Sequence, residues 1–216
     1  MQIQPISVAD AVAAELRTRL LSGHYAGGDQ LRDTDLTAEF GVARPTIRAA
    51  VAVLVAEGLL ERGRGRSAEV KSFGAEDAVD LYRLRRPIEA AAVDRVLARG
   101  ADLAGVRAAC AAFEAGGEGT SWDVVADYDV AFHRAVFAAA GSPRLLRAYD
   151  EVGAELRLLI ALLRPAYESV TDLALEHRVL LAALEAGDPE GARSAWSAHF
   201  DDSERFFLDL IKERTR

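Results

Sequence analysis

From about residue 75 onward the chain offers no convincing strand. Its Ala- and Leu-rich segments repeat apolar residues at helical spacing, and only Gly and Pro interrupt them: Gly100, the Gly116-Gly117-Glu118-Gly119 run, Gly141-Ser142-Pro143, Pro165 and Gly187-Asp188-Pro189. That period with those breakers predicts six helices, at roughly 75–99, 102–115, 122–140, 143–163, 170–186 and 189–214. Pro87 lies inside the first and predicts a kink there.

The first 71 residues read differently. Segment 7–22 places Val8, Val12, Leu16 and Leu20 on one helical stripe, with Ser7 as its N-cap and Gly23 just past its end. A turn-rich link, HYAGGDQL, follows. Segment 33–40 predicts a short helix capped by Asp33, with Leu36 and Phe40 inward. Gly41-Val42-Ala43 is a tight turn, and 44–57 is a second helix with Pro45 in its first turn and Ile47, Val51 and Leu54 as its buried stripe. Gly58 ends it, and LLERGRGRSAEV reads as two short strands around a Gly/Arg turn. Helix, helix, turn, helix and ribbon in this order make a winged helix-turn-helix. The expected fold class is therefore mostly α, an N-terminal winged helix-turn-helix followed by an all-helical bundle. The expected organisation is 1–71, a linker over 72–76, and 77–216.

Charge needs dividing before it can be interpreted. The whole chain carries 26 basic and 34 acidic residues, a net −8, which taken alone counts against nucleic acid. Residues 1–71 hold nine of each and sum to zero, so the acidity belongs to the helical part. Residues 44–71 gather Arg44, Arg48, Arg62, Arg64, Arg66 and Lys71. Arg44, Thr46 and Arg48 lie at the helix end that enters a major groove. There Arg can bond guanine O6 and N7, and Thr can meet a phosphate or a thymine methyl. Arg64 and Arg66 make the wing tip basic. A solvated charged hairpin would show the same charges; the order of the elements favours DNA binding.

Four histidines are present. Asp129 and His133 are spaced i, i+4 on one predicted helix, and His177 and His199 fall on two others. Four such groups from three helices can close around one ion inside a bundle, and imidazole with one carboxylate suits Zn²⁺, Ni²⁺ or another first-row divalent ion. Each histidine also has an ordinary reading as a hydrogen-bonded core residue. His133 shares its face with Val136, beside Phe132; His177 shares a stripe with Leu181 and Leu184, and His199 with Trp196 and Phe206. Glu176 points about 100° away from His177 on a helix and is expected to lie off the site. His24 sits in a turn. Cys110 reads as a small buried hydrophobe, and a lone cysteine excludes a disulfide framework. Trp122 and Trp196 read as packing residues. No secretory signal or membrane-length apolar run is evident, so the expectation is a cytoplasmic protein.

RTRLLSGHYAGGDQLRDTDLTAEFGVARPTIRAAVAVLVAEGLLERGRGRSAEV resembles the DNA-binding domain of the GntR family of bacterial transcriptional regulators. The resemblance implies DNA contacts at Arg44, Arg48 and Arg64, with Thr46 between the first two. Where the family often carries an arginine this chain has Thr34, and Ala49 replaces a usual glutamate. LYRLRRPIEAAAVDRVLA, FHRAVFAAAGSPRL and EHRVLLAALEAGDPEGARSAWSAHF are similar to the FCD effector domain of the fatty-acid-responsive-type branch. That likeness implies an antiparallel helical bundle with a metal held by Asp129, His133, His177 and His199. It also implies a small carboxylate effector met by Arg85, an arginine fork being suited to carboxylate. Arg86 could be the inward one instead, or Arg85 could form a surface pair with Glu89. The implied protein is a homodimeric, effector-gated repressor on a palindromic double-stranded operator, without enzymatic activity. Two alternatives are a metal-dependent hydrolase at the Asp/His₃ cluster, disfavoured by the absence of HExxH, and a metal-free organic-acid-sensing regulator.

Overall fold

The computed structural model describes residues 7–63, 67–163 and 169–214. The chain divides into two compact units, Met1–Ser72 and Phe73–Arg216.

In the first unit, α1 (Val8–Leu21) is capped by the Ser7 hydroxyl, which accepts from the Asp10 amide. It buries Val12, Leu16 and Leu20, while Val8, expected on the same stripe, is exposed. A three-residue strand, β1 (Gln30–Arg32), follows in the stretch expected to be only a link. Next come α2 (Asp33–Phe40) and α3 (Arg44–Ala56), joined through Gly41 at φ 64°. That left-handed conformation suits glycine and ends the first of the two helices. Arg32, not Asp33, is the N-cap of α2, and it makes no side-chain cap bond. Strands β2 (Leu60–Arg62) and β3 (Ser67–Val70) form a three-stranded antiparallel sheet with β1, in the order β1-β3-β2. Leu31 pairs with Ala68 and Leu60 with Val70, and all four are buried.

The buried stripe of α3 is Ile47, Ala50 and Leu54. Val51, expected inward, is half-buried beside Arg48 and Arg62 instead. An i, i+3, i+7 stripe faces α1 here, and the i+4 position rotates toward the ribbon.

The second unit holds α4 (Ala75–Arg99), α5 (Ala104–Gly116), α6 (Trp122–Ala139), α7 (Pro143–Leu163), α8 (Val170–Ala186) and α9 (Pro189–Arg214). No strand occurs among its described residues. Short connections lay α6 between α5 and α7, while α9 packs on α4 and α8. Their shared core includes Tyr82, Val93, Phe132, Phe137, Leu156, Trp196 and Phe207. α4 is a single helix with Pro87 inside it. Cys110 is buried in the same core, and burial pushes its thiol pKa upward. The side chain of Trp122 lies outside the described residues.

Candidate functional site

Three histidines meet inside the helical unit. His133 comes from α6, His177 from α8 and His199 from α9. Their ring centroids are 5.2, 5.3 and 5.2 Å apart, a nearly equilateral triangle. One ligand atom from each can be chosen with all three within 4.8 Å of one another. Asp129, one turn before His133, brings its Oδ1 to 3.1 Å from His177 Nε2. His133 and His177 are fully buried, Asp129 and His199 nearly so. The pattern of apolar neighbours explains this. Phe132 and Val136 seat α6, and Leu180 and Leu184 seat α8. On α9 the buried register is Trp196, Phe200, Ser203 and Phe207, so Phe206, expected on the His199 stripe, is only half-buried.

Hydrogen bonds determine which ring nitrogens remain free. His177 Nδ1 lies 2.8 Å from the Leu173 carbonyl oxygen, which can only accept, so Nδ1 carries the proton. In the neutral ring, Nε2 then presents a lone pair toward the Asp129 carboxylate. His133 Nδ1 lies 2.7 Å from Glu89 Oε2, again an acceptor, so its Nε2 is likewise a lone pair. Among the described residues, the buried atoms His133 Nε2, His177 Nε2, His199 Nδ1 and Asp129 Oδ2 all lack a hydrogen-bond partner. The 3.1 Å approach of His177 to Asp129 is thus a close contact rather than an aligned hydrogen bond. Acceptors converging in a buried space need positive charge among them, either a proton on a ring or a metal ion. Two of the imidazoles are held by acceptors on their far sides, an outer-shell arrangement typical of metal-ligating histidine. The donor set fits a first-row divalent cation.

Burial alone would raise the Asp129 carboxyl; a proton on the adjoining His177 ring, then positive charge at His133 and Arg85, outweighs it and holds its pKa well below the usual range, and a metal ion would supply the same positive charge among neutral rings. Burial lowers His199 to about 4, so its ring is neutral at neutral pH, as ligation requires.

Glu176 corrects an expectation. Its direction on α8 predicts a position off the site, yet its Oε2 lies 3.4 Å from His199 Nδ1. The neighbouring helix brings His199 around to it, and the long side chain, 43% exposed, spans the gap at the rim.

Arg85 and Arg86 separate cleanly. Arg86 is partly exposed and pairs with Asp201 and Glu204. Arg85 is almost fully buried, its guanidinium 5.3 Å from the Tyr82 ring and 5.2 Å from the Phe200 ring. The pair with Glu89 does form, but inside the bundle rather than at the surface. Arg85 Nε donates to Glu89 Oε1 at 2.9 Å. Arg85 Nη2 is 2.8 Å from the same oxygen without hydrogen-bond alignment, and so remains unsatisfied. Burial opposes the charge of Arg85, and Glu89 overrides it. Burial would also raise Glu89, but Arg85 and His133 bring it down to about 2. Sequence reasoning missed Glu89 as a site residue. Trp196, expected only to pack, also donates to Glu89 Oε2, at 3.3 Å.

In the first unit, Arg44 and Arg48 are exposed at the start of α3, and Thr46 is half-buried. Arg48 Nε donates to Asp33 Oδ2 at 2.8 Å, which steadies a side chain still 55% exposed. A groove of about 440 Å³ runs between α3 and the ribbon, flanked by Arg48 and Arg62. Arg64 and Arg66 lie outside the described residues. His24 is exposed beside Tyr25 in the first unit.

Comparison with known proteins matches residues 8–70 to the family described as bacterial regulatory proteins, gntR family, and residues 80–202 to the FCD domain. A protein of Paenarthrobacter nicotinovorans named "Probable D-xylose utilization operon transcriptional repressor" is 30% identical over 89% of this chain and 85% of its own length. The Escherichia coli HTH-type transcriptional repressor GlaR is 28% identical over 85% of this chain and 88% of its own. Among solved structures, a Rhodococcus sp. RHA1 protein described as a GntR transcriptional regulator superposes with a TM-score of 0.79 at 27% identity, covering 93% of this chain and 97% of that one. The matched families and relatives are transcriptional regulators rather than enzymes.

Proposed function

Since the chain belongs to the gntR family of bacterial regulatory proteins and carries an FCD domain, we propose that it is a repressor whose operator binding is set by a small carboxylate bound beside a divalent metal ion. Its class, a DNA-binding transcriptional regulator of the GntR/FCD type, is given by the family. Repression follows the printed names of its relatives.

Arg44 and Arg48 lie where the N-terminus of α3 favours phosphate and guanine edges. Thr46 supports that register, and Arg64 and Arg66 complete the interface at the wing. A homodimer presents two such units to a palindromic operator, and a regulator of this kind works in the cytoplasm.

The observation that carries the ligand half is the buried triangle of histidines with its unpartnered acceptors. Asp129, His133, His177 and His199 would hold the ion, Zn²⁺ or Ni²⁺ by donor chemistry. Bound there, the ion would supply a Lewis acid for an anionic oxygen. Arg85 offers the unsatisfied Nη2 to a carboxylate, sharing its guanidinium with Glu89. Such a ligand alters DNA binding only through different affinities for the DNA-competent and DNA-incompetent arrangements.

The test is binding to DNA from upstream of the protein's own gene. Arg44→Ala and Arg48→Ala should each weaken specific binding about 5- to 150-fold, since a bidentate arginine–guanine contact contributes about 1–3 kcal/mol. Circular dichroism should show the bundle intact. Wild-type-like operator binding by both variants would place the recognition surface elsewhere.

A further inference from the structure

Glu89 is a carboxylate sealed in the helical unit, 2% exposed, with its two oxygens divided between two tasks. Oε1 takes Arg85 of its own helix, at 2.9 Å from Nε. Oε2 takes His133 Nδ1 of α6 at 2.7 Å and Trp196 Nε1 of α9 at 3.3 Å. One side chain thereby ties three helices together at the edge of the histidine triangle. The other two rings are held less firmly: His177 by a backbone carbonyl, and His199 by no side-chain hydrogen bond among the described residues, the half-exposed Glu176 only approaching its Nδ1 at 3.4 Å.

We infer that Glu89 is the positioning residue of the centre: it fixes the His133 ring with its Nε2 lone pair directed at the ion and clamps Arg85 in the same buried cluster. The inference rests on the metal reading given above and names the residue that orients its first ligand. Its physical basis is directional. A carboxylate can only accept at His133 Nδ1, so the ring cannot flip or exchange tautomers without leaving Nδ1–H unbonded in an apolar surrounding. Removing such an outer-shell partner weakens metal binding about 10–100-fold.

The test has to separate orientation from charge and from folding. Glu89→Leu alone would strand the buried Arg85 charge, so the informative variant is Arg85→Met with Glu89→Leu, which leaves the net charge of the cluster unchanged. Its Zn²⁺ affinity, measured by chelator competition on the full chain, should fall about 10–100-fold. Arg85→Met with Glu89→Gln should recover to within about threefold of wild type. The amide oxygen restores the acceptor for His133 Nδ1–H without restoring the charge. Histidine ¹⁵N shifts of the metal-free wild type supply a second readout, with His133 protonated on Nδ1 and bare at Nε2. Wild-type Zn²⁺ affinity in the Leu variant, or a wild-type His133 protonated on Nε2 instead, overturns the Glu89 assignment while leaving the metal reading standing. A wild type that takes up no Zn²⁺ overturns the metal reading and this inference with it.

Discussion

Arg85 is a full positive charge inside a wall of Tyr82 and Phe200, and it stays there because Glu89 lies one turn further along α4. Arg85→Ala would strand that carboxylate, keeping only its contacts with His133 and Trp196. The expected cost is about 3–5 kcal/mol of the helical unit's stability, measured by urea unfolding; a loss within experimental error would mean that the pair is solvated. His199 makes a prediction about acid. Burial lowers its pKa to about 4, whereas an unfolded histidine titrates near 6.5. Between those values the unfolded chain binds more protons than the folded one. In metal-free protein this contribution is therefore whole above pH 6.5 and is lost as the pH falls toward 4, on the order of 3 kcal/mol in all. The urea midpoint should drop between pH 7.5 and pH 5, and a flat midpoint would show that the His199 ring is open to water. At this scale the four candidate ligands were legible. Histidines are few, and the i, i+4 spacing of Asp129 and His133 orients both together. Glu89 was not, because Arg and Glu one turn apart look the same on a surface or in a core. Only the helices packed over them, α6 and α9, decide.

Among elements, the helices were legible in the second unit because its breakers are Gly and Pro at unambiguous places. β1 was not: it is three residues long, buries only Leu31, and follows a turn-rich run. Its pairing with β3 comes from tertiary contact, not from local pattern. The stripe of α3 was read one position off at Val51, since Ala50 and Val51 are both apolar and only the approach of α1 separates them. Two predictions belong to this helix. Ile47, fully buried, should cost about 2–5 kcal/mol as Ile47→Ala. Operator binding should then be lost through unfolding of the first unit, visible as a lowered first transition. By contrast, Arg44→Ala should leave that transition in place. If Arg44 meets a phosphate, the slope of log K against log salt should shrink by about 1. An unchanged slope would assign Arg44 to a base or to no contact.

For the whole molecule, the net −8 describes neither unit. Residues 1–71 are neutral, with the positive charge collected from Arg44 onward, and the acidity lies beyond. Non-specific DNA affinity should accordingly be weak, leaving specificity to a few arginines and to two units acting on one operator. The second unit carries at its centre groups that find no hydrogen-bond partner among the described residues, which makes its stability depend on what it binds. A ligand at about 100 times its Kd adds about 2.7 kcal/mol. The most direct test of that claim is the metal content of the untagged full-length protein, purified without chelator and compared with His177→Ala. The account predicts one divalent ion per chain in the wild type and near-complete loss in the variant, with the helical content of both retained. A wild type free of metal, and unable to take up Zn²⁺ or Ni²⁺ when they are supplied, would contradict it.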